Sequence, residues 1–274
     1  MVGTRKRYFS PVSGFLFILS SATIDTIASS SSPIPASSLC HPSSLSGALD
    51  VPISTGTTLV AARFGPGPSG SASESGIIIG ADSRTSRGSY ISNRGAKKLN
   101  IVRPNIVVAR SGSAADTQSL TEELALELSD LERSSGSEKL RVSTAAHILR
   151  RYSYASKDKL SASLICAGWD STAGFQLYTI VQGGSLMQST SFAIAGSGSS
   201  FIYGWCDRSW REKMSRDECI EFVSRAIELA KNRDGSSGGP TNLIEIEYGG
   251  ECKPLQSPIF LDKNECGVKS EFIE

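Results

Sequence analysis

An abrupt change of texture at Gly56-Thr57 divides this chain. Residues 20–48 are dominated by serine and punctuated by Pro33, Pro35 and Pro42, a composition that buries too little apolar surface to offset the entropy of ordering. From Thr57 the chain turns β-rich and apolar, as Thr57-Thr58-Leu59-Val60-Ala61-Ala62. After a Gly/Pro/Ser tract over 65–76 it does so again, as Ile77-Ile78-Ile79-Gly80-Ala81-Asp82. The two segments read as a hairpin with an oversized loop. Residues 1–56 are therefore expected to be a disordered propeptide removed on maturation, and residues 57–274 a single domain whose tail extends from about 249.

The order of elements beyond the hairpin narrows the architecture. Strands are expected at 97–102 and 106–110 about an Arg103-Pro104-Asn105 turn. A helix then opens at Ser113-Ala114-Ala115-Asp116, a capping box with Asp in the acidic position, and carries Leu120, Leu124, Leu128 and Leu131 on one face. A link over 130–139 leads to a second helix at about 142–159. Strands return at 164–169, 176–181 and 191–195, followed by two more helices. The last of these has Ser215 and Glu218 as a capping box, with Cys219, Phe222, Val223, Ala226, Ile227 and Ala230 at i, i+3, i+4 spacing. A strand near 243–248 and an irregular tail close the chain. Strands, two helices, strands, two helices, strands is the order of an α+β fold, a four-layer αββα sandwich of two antiparallel sheets flanked by helix pairs.

Charge excludes several function classes. Removing residues 1–56 takes away Arg5, Lys6, Arg7, Asp25 and Asp50, so that 28 basic and 27 acidic residues become 25 of each. That balance leaves no electrostatic footprint for nucleic acid or an anionic membrane. Cys40, Cys166, Cys206, Cys219, Cys252 and Cys266 contain no C-x-x-C pair and read as free thiols of a reducing compartment, with no metal site. No N-x-S/T sequon occurs. Arg5-Lys6-Arg7 followed by Gly14-Phe15-Leu16-Phe17-Ile18-Leu19 has the order of a secretory signal, and equally fits an apolar patch in a disposable pro-segment. The stretch is too short to span a bilayer.

The available side chains restrict the chemistry further. Hydrolases that activate Ser or Cys usually do so with histidine. Of the two histidines, His41 lies in the leader and His147 sits in the second helix, where it reads as a packed or surface residue. Gly235-Ser236-Ser237-Gly238-Gly239 satisfies G-x-S-x-G, but a nucleophile elbow needs strand then helix, and here the order is reversed. Gly196-Ser197-Gly198-Ser199-Ser200 begins like a dinucleotide loop, yet Phe201 stands where the third glycine belongs. Gly56-Thr57-Thr58 remains. A cut after Gly56 would give Thr57 a hydroxyl and an α-amine on one residue, and an amine of reference pKa about 7.7–8.0 is a usable base near neutrality. Gly56, without a side chain, permits the tight turn that brings the Thr57 hydroxyl onto its carbonyl.

With these residues in view, the chain resembles the proteasome beta-subunit family from Thr57 to about Tyr248. The resemblance rests on Thr55-Gly56-Thr57-Thr58, Gly80-Ala81-Asp82-Ser83-Arg84-Thr85, Arg110-Ser111-Gly112-Ser113-Ala114-Ala115-Asp116-Thr117-Gln118, Gly196-Ser197-Gly198-Ser199-Ser200 and Arg233-Asp234-Gly235-Ser236-Ser237-Gly238-Gly239. It implies a threonine endopeptidase of the N-terminal-nucleophile architecture, with Thr57 as nucleophile, Lys98 as the catalytic lysine and Asp82 as its ion-pair partner. Strand alternation would point the adjacent Lys97 to the opposite face. Ser197, Asp234 and Ser237 match the family's polar cluster around the threonine amine, and Gly112 the residue whose N–H stabilises the oxyanion. Thr85, Ser86 and Ala114 match positions that bind substrate as an added strand.

The resemblance also reaches specificity and assembly. Arg110 matches the base of the primary pocket, where a guanidinium would pair with a carboxylate. With Gly88-Ser89-Tyr90-Ile91 and Ala167-Gly168-Trp169-Asp170, it points to a caspase-like subunit that cleaves after acidic residues. The implied partners are other proteasome alpha and beta subunits in a four-ring barrel of the cytoplasm and nucleus, acting on unfolded polypeptides, with no cofactor or metal. The 65–76 loop is longer than the family's usual connection and the 249–274 tail matches poorly. Both are expected on the surface or at subunit contacts. A catalytically silent subunit of the same ring is the main rival, and Gly56, Thr57, Asp82 and Lys98 together argue against it. A secreted protein and an unrelated amidohydrolase of the same architecture are further rivals, disfavoured by the missing sequons and by the five blocks.

Overall fold

The apolar runs in this sequence are continuous rather than alternating, and a strand apolar on both sides must be covered on both. The computed structural model describes residues 54–66, 71, 74–87, 90–135 and 140–256, all within the compact unit Gly47–Glu274. Residues 1–53 with Cys40, parts of the 65–76 tract, Gly88-Ser89, residues 136–139 and the tail beyond 256 with Cys266 lie outside the described residues.

In chain order the strands are β1 (Ser54–Thr55), β2 (Leu59–Phe64), β3 (Gly76–Ala81), β4 (Thr85–Arg87), β5 (Tyr90–Asn93), β6 (Leu99–Arg103), β7 (Ile106–Ser113), β8 (Ala162–Asp170), β9 (Gly174–Val181), β10 (Ser185–Ser189), β11 (Phe192–Ala195), β12 (Asn242–Glu247) and β13 (Cys252–Leu255). The helices are α1 (Ala114–Ser135), α2 (Val142–Ala155), α3 (Tyr203–Ser209) and α4 (Arg216–Lys231), with a 3-10 turn at Ser197–Phe201. One antiparallel sheet runs β1-β7-β8-β9-β10, with β6 also on β7; the other runs β11-β2-β3-β12-β13, and β4 pairs with β5.

Alternation assigns each strand residue to a layer. Val107, Ala109, Ile165 and Leu177 meet Leu59, Ala61, Ile77 and Ile79 between the two sheets. Ile106, Val108, Leu164 and Ile180 face α1 and α2 instead, and Val60, Ala62 and Ile78 face α3 and α4. The result is the expected α+β sandwich of helices, sheet, sheet and helices. Each fully buried Leu or Ile contributes about 1.5–3 kcal/mol, so these three apolar layers dominate the favourable side of folding.

Several local expectations need correction. α1 continues to Ser135, through part of the expected link, and Leu131 is 36% exposed, whereas Leu120, Leu124 and Leu128 are buried. At the start of α1 only half the capping box forms: the Asp116 amide donates to Ser113 Oγ at 3.4 Å, and the Asp116 carboxylate accepts from the Ser161 amide. The tail is not wholly irregular, because β13 pairs with β12 after a turn through Gly249 and Gly250, both at positive φ. The capping box at α4 forms in both directions as expected.

Candidate active site

Strand register gathers the chemistry at one end of the sandwich. β2 and β3 pair with Leu59 opposite Ala81, so Thr57 and Thr58 enter β2 beside Asp82 leaving β3. β11 pairs with β2 through Ala195 and Leu59, which brings Ser197 alongside Thr57. β12 begins with Asn242 opposite Ala81, so the connection from α4, with Asp234 and Ser237, arrives at the same end. Across the sandwich, β6 and β7 pair with Leu99 opposite Ala109, and the Arg110 amide donates to Lys98 O at 2.9 Å.

Lys98 precedes β6 rather than lying within it, and its side chain is buried while that of Lys97 is exposed. Its Nζ donates to Asp82 Oδ1 at 2.8 Å, Gly56 O at 2.9 Å and Thr57 Oγ1 at 3.0 Å. An ammonium has three donors, and these three oxygens use all of them. Burial lowers the Lys98 pKa from its ordinary value, against the opposing pull of the Asp82 carboxylate. Asp82 is itself held by the amides of Thr58 at 3.0 Å, Gly238 at 2.9 Å and Arg84 at 3.2 Å. A buried ion pair needs such extra hydrogen bonds, because removing either partner leaves an uncompensated charge worth about 3–5 kcal/mol.

A second carboxylate organises the other side of Thr57. Asp234 Oδ2 accepts from Ser197 Oγ and Ser237 Oγ, each at 2.7 Å, while Oδ1 accepts from the Ser236 amide at 3.0 Å. Burial raises the Asp234 pKa, but the donated bonds of Ser237, Ser197 and Ser236 outweigh it and hold the carboxyl below its ordinary value. The Thr57 amide donates to Ser197 Oγ at 3.1 Å, and the Gly198 amide to Thr57 O at 3.2 Å. Gly196, at φ 90°, is required here, since a Cβ would lie 2.2 Å from Thr57 O. Gly56 is not in the left-handed region among the described glycines; a Cβ there would collide with Ser236 Cβ at 1.7 Å. Its missing side chain therefore serves a close approach to Ser236, beyond the local turn expected of it.

The edge of β7 is shared end to end. β6 takes Ile106 to Ala109, and β1 takes the far end, with Thr55 opposite Gly112 and Ser54 opposite Ser113. The chain's own residues thus lie as an added strand immediately before Gly56-Thr57. β4, with buried Thr85 and half-buried Ser86, lies on the other side of β1, and half-buried Ala114 begins α1 just beyond. Gly112 has φ 117°, and a Cβ would sit 2.1 Å from Ser161 O, so only glycine is accommodated. Arg110 donates from Nε to Asn100 Oδ1 at 2.8 Å and from Nη2 to Lys97 O at 2.7 Å.

All the candidate residues therefore lie at one end of the fold, with Arg110 one strand away from the Thr57 contacts. The structure adds polar groups that sequence reasoning passed over: the Ser236 and Gly238 amides, Arg84, and the hydroxyl of Thr58. The Gly238-Gly239 pair was the available signal for a close approach, since a Cβ on Gly238 would strike the Arg84 guanidinium at 2.3 Å. Among the described residues there is no His/Cys/Asp/Glu group that could hold a metal ion, and no helix is long and apolar enough to cross a membrane. Cys166, Cys206, Cys219 and Cys252 are free, with thiol pKa values pushed up to about 12 by burial.

Comparison with known proteins covers the same stretch. Residues 53–246 match the family described as proteasome subunit, from just ahead of Gly56-Thr57 into β12. The chain is 41% identical to proteasome subunit beta type-6 of Dictyostelium discoideum over 202 residues, covering 74% of this chain and 89% of that protein. It is 39% identical to proteasome subunit beta type-9 of Salmo salar over 225 residues, covering 81% and 98%. It is also 39% identical to proteasome subunit beta type-1 of Saccharomyces cerevisiae over 198 residues, covering 72% and 86%. Similarity of this extent, on a sandwich whose register brings Thr57, Asp82 and Lys98 into hydrogen-bond contact, makes this chain a member of the proteasome beta-type subunit family.

Proposed function

We propose that this chain is a threonine endopeptidase subunit that frees its own nucleophile by cutting after Gly56 and then cleaves polypeptides after acidic residues. The observation that carries this reading is the reach of Lys98 Nζ to Gly56 O, Thr57 Oγ1 and Asp82 Oδ1 at once. In the uncut chain the Thr57 nitrogen is an amide and cannot take a proton, so the first cut needs another base beside the hydroxyl. Burial lowers the Lys98 pKa and so favours loss of one ammonium proton, and the neutral amine, with a lone pair beside Thr57 Oγ1, suits that role. Attack of Thr57 Oγ1 on the Gly56 carbonyl carbon exchanges the amide for an ester, and the hydroxyl proton passes through Lys98 to the departing nitrogen. Water then hydrolyses the ester, leaving a carboxylate on Gly56 and a free α-amine on Thr57.

That amine becomes the base of the mature site, held by Ser197 and through it by Asp234. Lys98 and Asp82 stay beside the hydroxyl and favour the developing alkoxide. Thr57 is fully buried while the leader is attached, which supports a site that opens only after the cut. A substrate strand takes the place of β1 on Gly112 and Ser113, between Thr85, Ser86 and Ala114, with the Gly112 N–H facing the oxyanion. Arg110 is oriented by Asn100 and Lys97 O, leaving Nη1 for a substrate carboxylate. The relatives named proteasome subunit beta type-6 and type-1 support this subunit type. In this reading the chain works beside other proteasome alpha and beta subunits in a ring particle of the cytoplasm and nucleus and acts on unfolded polypeptides.

Intact mass and N-terminal sequencing of the chain from the assembled particle test the reading. A mature chain that starts at Thr57 is expected. An active particle whose chain starts at Gly56 or earlier overturns the mechanism. Acid-directed hydrolysis unchanged by Thr57→Ala would make the chain a silent structural subunit instead.

A further inference from the structure

One buried hydroxyl beside the reacting residue has no part in the cut described above. Thr58 is fully buried, and its Oγ1 lies 2.8 Å from Ser237 Oγ. Either oxygen could donate on distance alone, but the neighbouring bonds decide. Ser237 has a single hydroxyl proton, and it is given to Asp234 Oδ2 at 2.7 Å. A carboxylate only accepts, so the Thr58 hydroxyl must be the donor to Ser237. Two arms then converge on one carboxylate oxygen: Thr58 to Ser237 to Asp234, and the Thr57 nitrogen to Ser197 to Asp234.

The main chain of Thr58 belongs to the other half of the site. Its N–H donates to Asp82 Oδ1, the same oxygen that holds Lys98, and its carbonyl accepts from the Asp82 amide at 3.3 Å. Gly198 presses on the side chain, since a Cβ there would lie 2.0 Å from Thr58 Oγ1, so the hydroxyl has little freedom to turn away. An ordinary buried threonine satisfies its hydroxyl on a backbone carbonyl of its own element. Thr117 and Thr121 do this in α1, bonding Ser113 O and Thr117 O. Thr58 instead spends its proton on a side chain that reaches 179 residues along the chain.

Resting on the proposed protease reading, we infer that Thr58 is a positioning residue: its hydroxyl locks Ser237 as a donor to Asp234, and so fixes the carboxylate through which Ser197 holds the Thr57 nitrogen. Hydrogen bonds in such a chain polarise one another, so loss of the outermost donor weakens the bonds further in.

The test uses the assembled particle carrying the full-length chain and a fluorogenic peptide cleaved after an acidic residue. Thr58→Val keeps the shape and removes the donor, Thr58→Ser keeps the donor, and Ser237→Ala removes the intermediary. Thr58→Val is expected to lower kcat about tenfold at unchanged KM, and Thr58→Ser to restore it to within about threefold. In the double variant, Thr58→Val should cost nothing beyond Ser237→Ala alone, because it acts through Ser237. If Thr58→Val does not assemble, Thr58→Cys, whose thiol is a weak donor, takes its place with the same expectation. Parental kcat in Thr58→Val, a Thr58→Ser variant as slow as Thr58→Val, or multiplying losses in the double variant would overturn the inference. Hydrolysis lost in Thr57→Ala yet kept in Thr58→Val overturns it alone, whereas hydrolysis untouched by Thr57→Ala overturns the protease reading and this inference together.

Discussion

Asp82 and Asp170 are two buried carboxylates, 0% and 2% exposed, and each collects three backbone amides. Asp170 accepts from Val142 at 3.1 Å, Thr172 at 3.0 Å and Ala173 at 2.8 Å; Asp82 accepts from Thr58, Gly238 and Arg84. Their fourth partners differ. Asp170 takes the side-chain amide of Gln176, whose oxygen accepts from the Tyr178 hydroxyl, so the chain ends on neutral groups. Asp82 takes the Lys98 ammonium, whose remaining donors go to Gly56 O and Thr57 Oγ1. A carboxylate saturated by neutral donors ties segments together. One that holds a cation aimed at a carbonyl and a hydroxyl can also do chemistry, and the number of bonds does not separate the two.

Four substitutions break or sharpen this contrast. Lys98→Met has the largest expected effect: the chain stays uncut after Gly56 by intact mass, and peptide hydrolysis falls about a thousandfold or more. Asp82→Asn keeps the shape and the amide partners while removing the charge, so hydrolysis should fall about a hundredfold in steady-state assays, with a lowered unfolding midpoint. Arg110→Ala separates selectivity from chemistry. Its kcat/KM for cleavage after Glu and Asp should drop about tenfold or more, with cleavage after apolar residues unchanged in parallel fluorogenic assays.

Asp170→Asn is the counterpart with the smallest effect on activity. Hydrolysis should stay at the parental rate, while denaturant unfolding shows a loss of about 1–3 kcal/mol from the weakened bonds at the start of α2. Burial raises the Asp170 pKa, but the amides of Ala173, Val142, Gln176 and Thr172 more than compensate, so the folded value lies below the ordinary one. The stabilisation is then fully present above about pH 3.9 and is lost as pH falls through the lower folded value. The asparagine variant should lack that acid-side dependence, and equal slopes in both chains across this window would remove Asp170 from the account.

The two helix starts mark where sequence reasoning works. The cap of α4 is local: Ser215 and Glu218 stand three residues apart, and both reciprocal bonds form. The cap of α2 is not local, because Arg141 makes no side-chain cap bond and Asp170 supplies the acceptor from the end of β8, 28 residues away. The same division runs through the sheets. β3 and β7 are legible because Ile77-Ile78-Ile79 and Ile106-Val107-Val108-Ala109 are apolar on both faces. β10, β5 and β13 carry mixed or exposed side chains and are strands because of their partners, so pattern alone did not reveal them. Leu131 keeps helical spacing with Leu128 yet stands where the neighbouring layer no longer covers α1.

The order of residues alone determined the change of texture at Gly56-Thr57, the double-faced strands, the four layers and the scarcity of histidine, since each depends on composition or on spacing within one element. Tertiary structure alone decided which donors meet which acceptors. Lys98 is buried and Lys97 exposed because β6 and β7 register Lys98 against the ends of β2 and β3, and its contacts lie 16, 41 and 42 residues away. Thr58 acquires its bond to Ser237 in the same way. Hydrogen bonds depend on ångström distances between groups that only the packed sheets bring together, and no local pattern encodes those distances.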